Sequence, residues 1–336
     1  MKKRSLVMLA MFAVGGLSAK GQGTAPLKLV QKYEMPSEVK GHFDHFAIDV
    51  KGGRLFATPE AYKAVLVFDL KTGKMVHTIG GIQKPHAILY RHDRNRLYVT
   101  DGEAGDVKIF DSTTYKPVGS VKLLEDADSI GFDPATQFLY VDNGGGDVHQ
   151  TYSMLSVVDT TAEKKVADIK IDGETIEAMA LEKSSPRIYV NNRTKNQVEV
   201  IDREKRQVIA GWPVTKGKIN VAIALDEANH LLFVACRSGE IVVIDTQTGK
   251  EVTALPITKG VDDLVYDAAS KRIYAACDGA ADVYVQTDAD NYKLLGKVAT
   301  GPVGKTALLV PELKRYFVAV PQHGTTNSEV LVFEVQ

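Results

Sequence analysis

Short runs of apolar, β-branched and aromatic residues alternate with polar turns along nearly the whole chain, and after the N-terminal segment no apolar stripe recurs at helical spacing. That pattern predicts strands throughout. Its unit is clear in Asp44–Asp49, Arg54–Thr58, Ala64–Leu70 and Lys74–Ile79, where Lys51-Gly52-Gly53 and Lys71-Thr72-Gly73 supply the tight turns. Sheets without helices can bury their apolar faces only against one another.

The unit repeats. One phrase occurs seven times: Arg54-Leu55-Phe56-Ala57, Arg96-Leu97-Tyr98-Val99, Phe138-Leu139-Tyr140-Val141, Arg187-Ile188-Tyr189-Val190, Leu231-Leu232-Phe233-Val234, Arg272-Ile273-Tyr274-Ala275 and Arg315-Tyr316-Phe317-Val318. The steps between first residues are 42, 42, 49, 44, 41 and 43, the period of a four-stranded propeller blade. The expected fold is therefore all-β, a seven-bladed β-propeller of four-stranded antiparallel blades. The last copy stops at a third strand, Glu329–Glu334, and a matching fourth strand stands at the other end, Leu27–Tyr33. That segment should complete the last blade, closing the ring and removing exposed sheet edges.

Leu97-Tyr98-Val99-Thr100-Asp101 and Ile188-Tyr189-Val190-Asn191-Asn192 resemble the motif of the YVTN-type β-propeller repeat proteins, and the resemblance covers essentially the whole mature chain. The last motif position departs from the pattern, being Asn143 and Asn192 in two blades but Pro59, Asp101, Cys236, Cys277 and Val320 in the others. The resemblance implies the fold and leaves function open, since similar propellers include ligand-binding proteins, seven-bladed lactonases and the lyase that opens virginiamycin B.

Met1-Lys2-Lys3-Arg4, the apolar stretch Leu6–Leu17 and small residues at Ala19 and Gly21 have the build of a secretory signal peptide. We read residues 1–21 as that signal, with cleavage after Ala19 as the alternative, and 22–336 as one propeller domain, periplasmic or secreted. Cleavage removes four basic residues and no acid, taking the formal charge from −1 to −5. A mildly acidic chain is a poor nucleic-acid binder, and the mature sequence holds no transmembrane segment; it is read as a monomer. Cys236 and Cys277 occupy equivalent positions in adjacent blades, about 10 Å apart by blade spacing, which is beyond disulfide reach.

Superposed repeats turn each position into a ring of seven. Phe46, Ile88, Ile130, Met179, Ile223, Leu264 and Ala307 are apolar and read as core; one residue earlier stand the mostly small His45, Ala87, Ser129, Ala178, Ala222, Asp263 and Thr306. One residue earlier again the ring reads Asp44, His86, Asp128, Glu177, Val221, Asp262 and Lys305. These side chains begin the innermost strands and should converge on one channel mouth. Four carboxylates and an imidazole there raise one another's proton affinity unless a cation, shared protons or a basic neighbour compensates. A divalent metal is one such compensation: imidazole with carboxylate suits manganese, zinc or iron, and the oxygen-only members suit calcium or magnesium. Neutralisation by Lys305 and channel water is the other.

His42 is a secondary metal candidate in Gly41-His42-Phe43-Asp44-His45, because strand alternation predicts that Asp44 and His45 point to opposite faces. Asn192, Arg193, Arg237 and His323, on loops after the second strands, are candidate ligand-binding residues. The insertion Asn143–Ser153, with glycines at 144, 145 and 146, is a possible lid carrying His149 and Tyr152, or an ordinary surface loop. The leading functional reading is a propeller that binds a small ligand, with or without a metal, at this mouth. The second is a metal-dependent lactonase or lyase, which the resemblance implies, using His86 as base and Lys305 or Arg193 for an oxyanion. The third is a scaffold for protein partners, which requires exposed apolar patches on the loops. No nucleophile elbow, nucleotide loop or haem-attachment motif occurs.

Overall fold

In each repeat the innermost strand pairs with the repeated phrase, and two further strands lie outward, following in chain order in the first six blades. In the first blade these are Phe43–Asp49, Arg54–Pro59, Val65–Asp69 and Met75–Ile79, all antiparallel. The computed structural model describes residues 25–336, and the signal-peptide reading of residues 1–21 lies outside the described residues. Seven such four-stranded sheets form an all-β seven-bladed propeller. The later innermost strands are Pro85–Arg91, Ile130–Asp133, Ile176–Leu181, Asn220–Asp226, Asp263–Asp267 and Thr306–Val310. Helical turns among the described residues are short 3-10 segments such as Glu60–Tyr62 and Gly145–Val148.

The aromatic of the repeated phrase explains why the blades stack. Phe56, Tyr98, Tyr140, Tyr189, Phe233, Tyr274 and Phe317 are each at most 1% exposed, because second strands are sandwiched on both faces by neighbouring blades. Several of these rings meet aromatics of the next blade, as in Tyr274–Tyr316 at 5.5 Å and Phe233–Tyr266 at 5.2 Å between centroids. The buried tyrosine hydroxyls can still find acceptors, as Tyr98 does at the Thr160 carbonyl, 2.9 Å away.

The ring closes across the chain ends. Leu27–Glu34 pairs antiparallel with Glu329–Val335, from Leu27 opposite Val335 to Glu34 opposite Glu329, with a one-residue bulge between Leu29 and Gln31. Tyr33 in that strand is buried, lies 5.9 Å from Phe68 and donates to the Leu70 carbonyl of the first blade at 2.8 Å. Two hydroxyls sew the same seam: Thr306 Oγ1 donates to the Phe43 carbonyl, and Ser328 Oγ to that of Val39, each at 2.7 Å.

The last position of the motif is buried in every blade, and where it is Asp or Asn its side chain ties down the chain crossing from the previous blade. Asp101 accepts from the backbone of Gln83 and Lys84 at 2.8 and 2.9 Å, and Asn143 accepts from that of Leu124 at 3.2 Å. Cys236 and Cys277, at this same position, are buried and unbonded. Burial pushes the Cys236 thiol up to about 12 and raises that of Cys277 as well.

Two outcomes follow from this packing. Removing residues 25–33 should cost at least what truncating one large buried aromatic costs, about 3–5 kcal/mol, read as an earlier denaturant midpoint; an unchanged midpoint would show that the ring closes some other way. Both thiols should resist a thiol reagent in the native protein and react fully on denaturation without reductant, whereas a denatured protein with no reactive thiol would reveal a disulfide.

Candidate functional site

Because every innermost strand starts on the same face of the ring, the seven equivalent residues around those starts meet. Asp44, His86, Asp128, Glu177, Val221, Asp262 and Lys305 all line one cavity of about 410 Å³ at that mouth of the channel. His42 lines it too. The backbone at Asp128 is held from both sides: its N–H donates to the Asp142 carbonyl at 3.1 Å, and its carbonyl accepts from Thr100 Oγ1 at 2.9 Å.

His45 also lines the cavity, contrary to the alternation expected for neighbours on a strand. The reason is a β-bulge: Phe43 pairs with Pro59 and Phe46 with Ala57, so Asp44 and His45 together face the single residue Thr58. The bulge re-aims both side chains into the mouth. Equivalent register shifts occur at the start of the innermost strands in blades two, four and five.

The side of the mouth built by blades one to three is acidic and histidine-rich. Asp44 sits between two imidazoles, its Oδ2 2.5 Å from His86 Nδ1 and its Oδ1 3.2 Å from His45 Nε2. The other nitrogen of His45 lies 3.1 Å from Asp263. His86 is only 3% exposed, yet its Nε2 has no hydrogen-bond partner. Asp44, His45 and Asp128 can bring three donor atoms within 4.8 Å of one another, and so can His86, Asp126 and Asp128.

These contacts decide the charge states. Burial pushes the Asp128 carboxyl up, and the charges of Asp44 and Glu177 push it further against His86 and His45, to about 8. Burial alone would lower His86, but Asp128 and its bond to Asp44 outweigh it and raise the imidazole to about 9. Asp44 departs from the expected mutual raising: burial lifts it, yet His45, His86 and Lys305 together hold it well below the usual carboxylate range. Behind the ring, burial and then Asp128, Asp126 and Glu177 raise Asp142 well above its ordinary value. Without a cation at neutral pH the cluster therefore relieves its repulsion with protons, on Asp128, Asp142 and the imidazoles.

The opposite side is basic. Arg193 lies 3.0 Å from Glu177, Arg237 pairs with Asp262 at 2.5 Å, and Lys305 reaches the same carboxylate at 3.0 Å. Burial raises Glu177 despite the opposing bond from Arg193 and the charge of Arg237. The Nε of Arg237 is buried without an acceptor.

Two expected ligand residues fall elsewhere. Asn192 is fully buried at the last motif position, where its amide donates to the Asp172 carbonyl at 2.9 Å and to Glu199 at 2.7 Å. It fastens a loop, as Asn143 does. His323 is absent from the cavity lining; its Nδ1 faces the Pro321 carbonyl at 3.0 Å, within a bridge to Thr326. The insertion of blade three reaches the mouth through Asp147 and not through His149 or Tyr152. Gly145 requires glycine there, having φ of +72° and a position where a Cβ would lie 2.1 Å from the Glu174 carbonyl oxygen.

The sequence reading missed Glu60, Lys84, Asp126 and Asp147, all in the cavity lining. Each belongs to a loop entering an innermost strand or leaving a second strand, the two loop classes of this face. Asp126 had a usable signal, since Glu125-Asp126-Ala127-Asp128 places it two residues before a ring member. A second cavity of about 220 Å³ adjoins the first, lined by Phe46, Ala87, Ile88, Ile130 and Met179 and sharing His45, Ser129 and Ala178 with it. Part of the apolar ring read as core therefore faces the channel.

Comparison with known proteins agrees with this architecture. No family model matches the chain. Two curated relatives, both named Uncharacterized protein YncE, come from Salmonella typhi and Salmonella typhimurium strain LT2; they are 30% and 29% identical over 119 residues. The match spans 35% of this chain and only 33% of each relative. Among solved structures, a chain of Kuenenia stuttgartiensis hydrazine synthase aligns with a TM-score of 0.72 and 16% identity over 96% of this chain and all, 100%, of that one. A chain of a mitotic checkpoint complex crystal structure aligns at 0.74 with 13% identity over 100% and 99%. At these identities the structural likeness shows the fold alone. The chain is a seven-bladed β-propeller with YVTN-like repeats.

The charge states make a pH prediction. A carboxyl raised from 3.8 to about 8 costs nothing below 3.8; its destabilising effect grows as pH rises from there and is complete above about 8. In chelator, Asp128→Asn should match the parent near pH 4 and melt about 2 °C or more above it at pH 8. Parallel melting curves across that range would refute the assignment. Asp128 is the cleaner target, because amidating Glu177 would also break its pair with Arg193.

Proposed function

We propose that the chain is an exported propeller that binds a small anionic ligand at the channel mouth, through a divalent cation held by the blade one-to-three side and through Arg193, Arg237 and Lys305 opposite. One observation carries the reading: His86, only 3% exposed and with an unpartnered ring nitrogen, joins Asp126 and Asp128 in a group whose donor atoms lie within 4.8 Å of one another. A cation is the ligand that such a set of donors favours, and it would replace the protons that otherwise relieve the cluster. Each three-residue group joins one imidazole to two carboxylates, a mixture suiting manganese, iron or zinc ahead of calcium or magnesium. The basic N-terminal start followed by an apolar stretch supports export to the periplasm or beyond.

The scaffold alternative is less well supported. Large exposed apolar side chains such as Leu29, Val76, Val118, Ile209, Val252 and Leu294 lie on outermost strands around the rim, and on the loops of the mouth face Ile219 stands alone among the described residues.

A cation that binds only the folded state raises the melting temperature with the logarithm of its concentration, by about 2.7 kcal/mol of stability at a hundredfold excess over Kd. Manganese, zinc or iron(II) should do so for the parent protein, and Asp128→Asn should abolish the dependence while folding normally in chelator. If none of these metals shifts the parent curve, the metal reading fails. Turnover of a lactone by the metal-loaded protein would instead make the same site an active site.

A further inference from the structure

The mouth opens inward onto an apolar throat. Its 220 Å³ are walled mainly by Phe46, Ile88, Ile130 and Met179, directly beneath the ring of charged residues. Both nitrogens of the shared residue His45 are already engaged, by Asp44 and Asp263. Apart from His45, only Ser129 among the lining side chains carries a hydroxyl, amide or charged group. A water molecule needs two to four polar partners to be held well, so water in the throat is poorly satisfied and an apolar group displaces it favourably.

Charge restricts the head of the ligand. Seven carboxylates line the mouth against four lysine and arginine side chains and His45, whose charged form Asp44 and Asp263 favour, so a divalent cation only brings the lining near neutrality. A singly charged anion is accommodated there with less repulsion than a dianion. The buried Nε of Arg237 lacks an acceptor, and a guanidinium pairs readily with the planar fork of a carboxylate.

Building on the metal-and-anion reading above, we propose that the ligand is an amphiphilic monocarboxylate, with its head between the cation and Arg237 and its tail in the throat. A dry cavity of 150 Å³ holds benzene, so this throat suits a linear tail of about six to eight carbons. The structure thereby sets a length limit as well as a polarity.

Isothermal titration of the manganese-loaded protein with linear 2-hydroxyalkanoates, from glycolate upward, tests this; the hydroxyl gives the metal a second oxygen. Kd should fall about three- to fourfold with each added methylene until the tail fills the throat, and then level off. Met179→Phe should end the gain one or two carbons earlier. If manganese and glycolate bind but affinity is flat with chain length, the throat proposal is overturned and the metal site survives. Tighter binding of an alkylphosphonate dianion of equal length would overturn the carboxylate head. Absence of both manganese and glycolate binding would remove the underlying reading and this proposal with it.

Discussion

Blade-on-blade packing in a closed ring is the constraint from which the rest of the structure follows. A sheet with two apolar faces and no helix must have a neighbour on each side, and seven identical solutions to that problem make a circle. The buried aromatic of each repeated phrase fills the wedge between blades, and the N-terminal strand paired with Glu329–Val335 leaves no gap in the ring. Once the circle is closed, the start of every innermost strand is brought to the axis whatever the charge of its residues. The polar cluster at the mouth is thus imposed by the topology and stabilised by its own local contacts.

Those contacts divide the mouth into two chemically different sides. Across blades one to three, carboxylates and imidazoles interleave, so that Asp44 stays ionised between His45 and His86 while its neighbour Asp128 holds a proton. Around the rest of the ring each carboxylate has a basic partner: Glu177 has Arg193, and Asp262 has Arg237 and Lys305. In the proposed reading a cation replaces protons on the first side and an anion competes for the cations of the second. Joint occupation of both sides is the chemical logic of that proposal, and the apolar throat beneath would give the ligand a direction.

The blade count, the closing strand and the ring of charged residues were legible in the sequence because all three are consequences of a fixed repeat, which reads position against position. What was not legible depended on departures from regularity. A bulge at Asp44-His45 overrides strand alternation, and no residue type there announces it, since the neighbouring Phe43 and Phe46 are ordinary strand residues. Asn192 looked available for a ligand because polar residues at strand ends usually are, but its place in the repeat makes it a tether like Asn143. Asp147 belongs to an insertion with no counterpart in other blades, so superposing repeats could not position it.

The central claim is that the acidic, histidine-rich side of the mouth holds a metal in the working protein. Elemental analysis of the protein purified from its native compartment, beside Asp128→Asn prepared identically, tests it most directly. The account predicts about one equivalent of a transition metal per folded chain in the parent and its loss in the variant. A folded, unmodified parent carrying no metal, or a variant that retains it, would contradict the account.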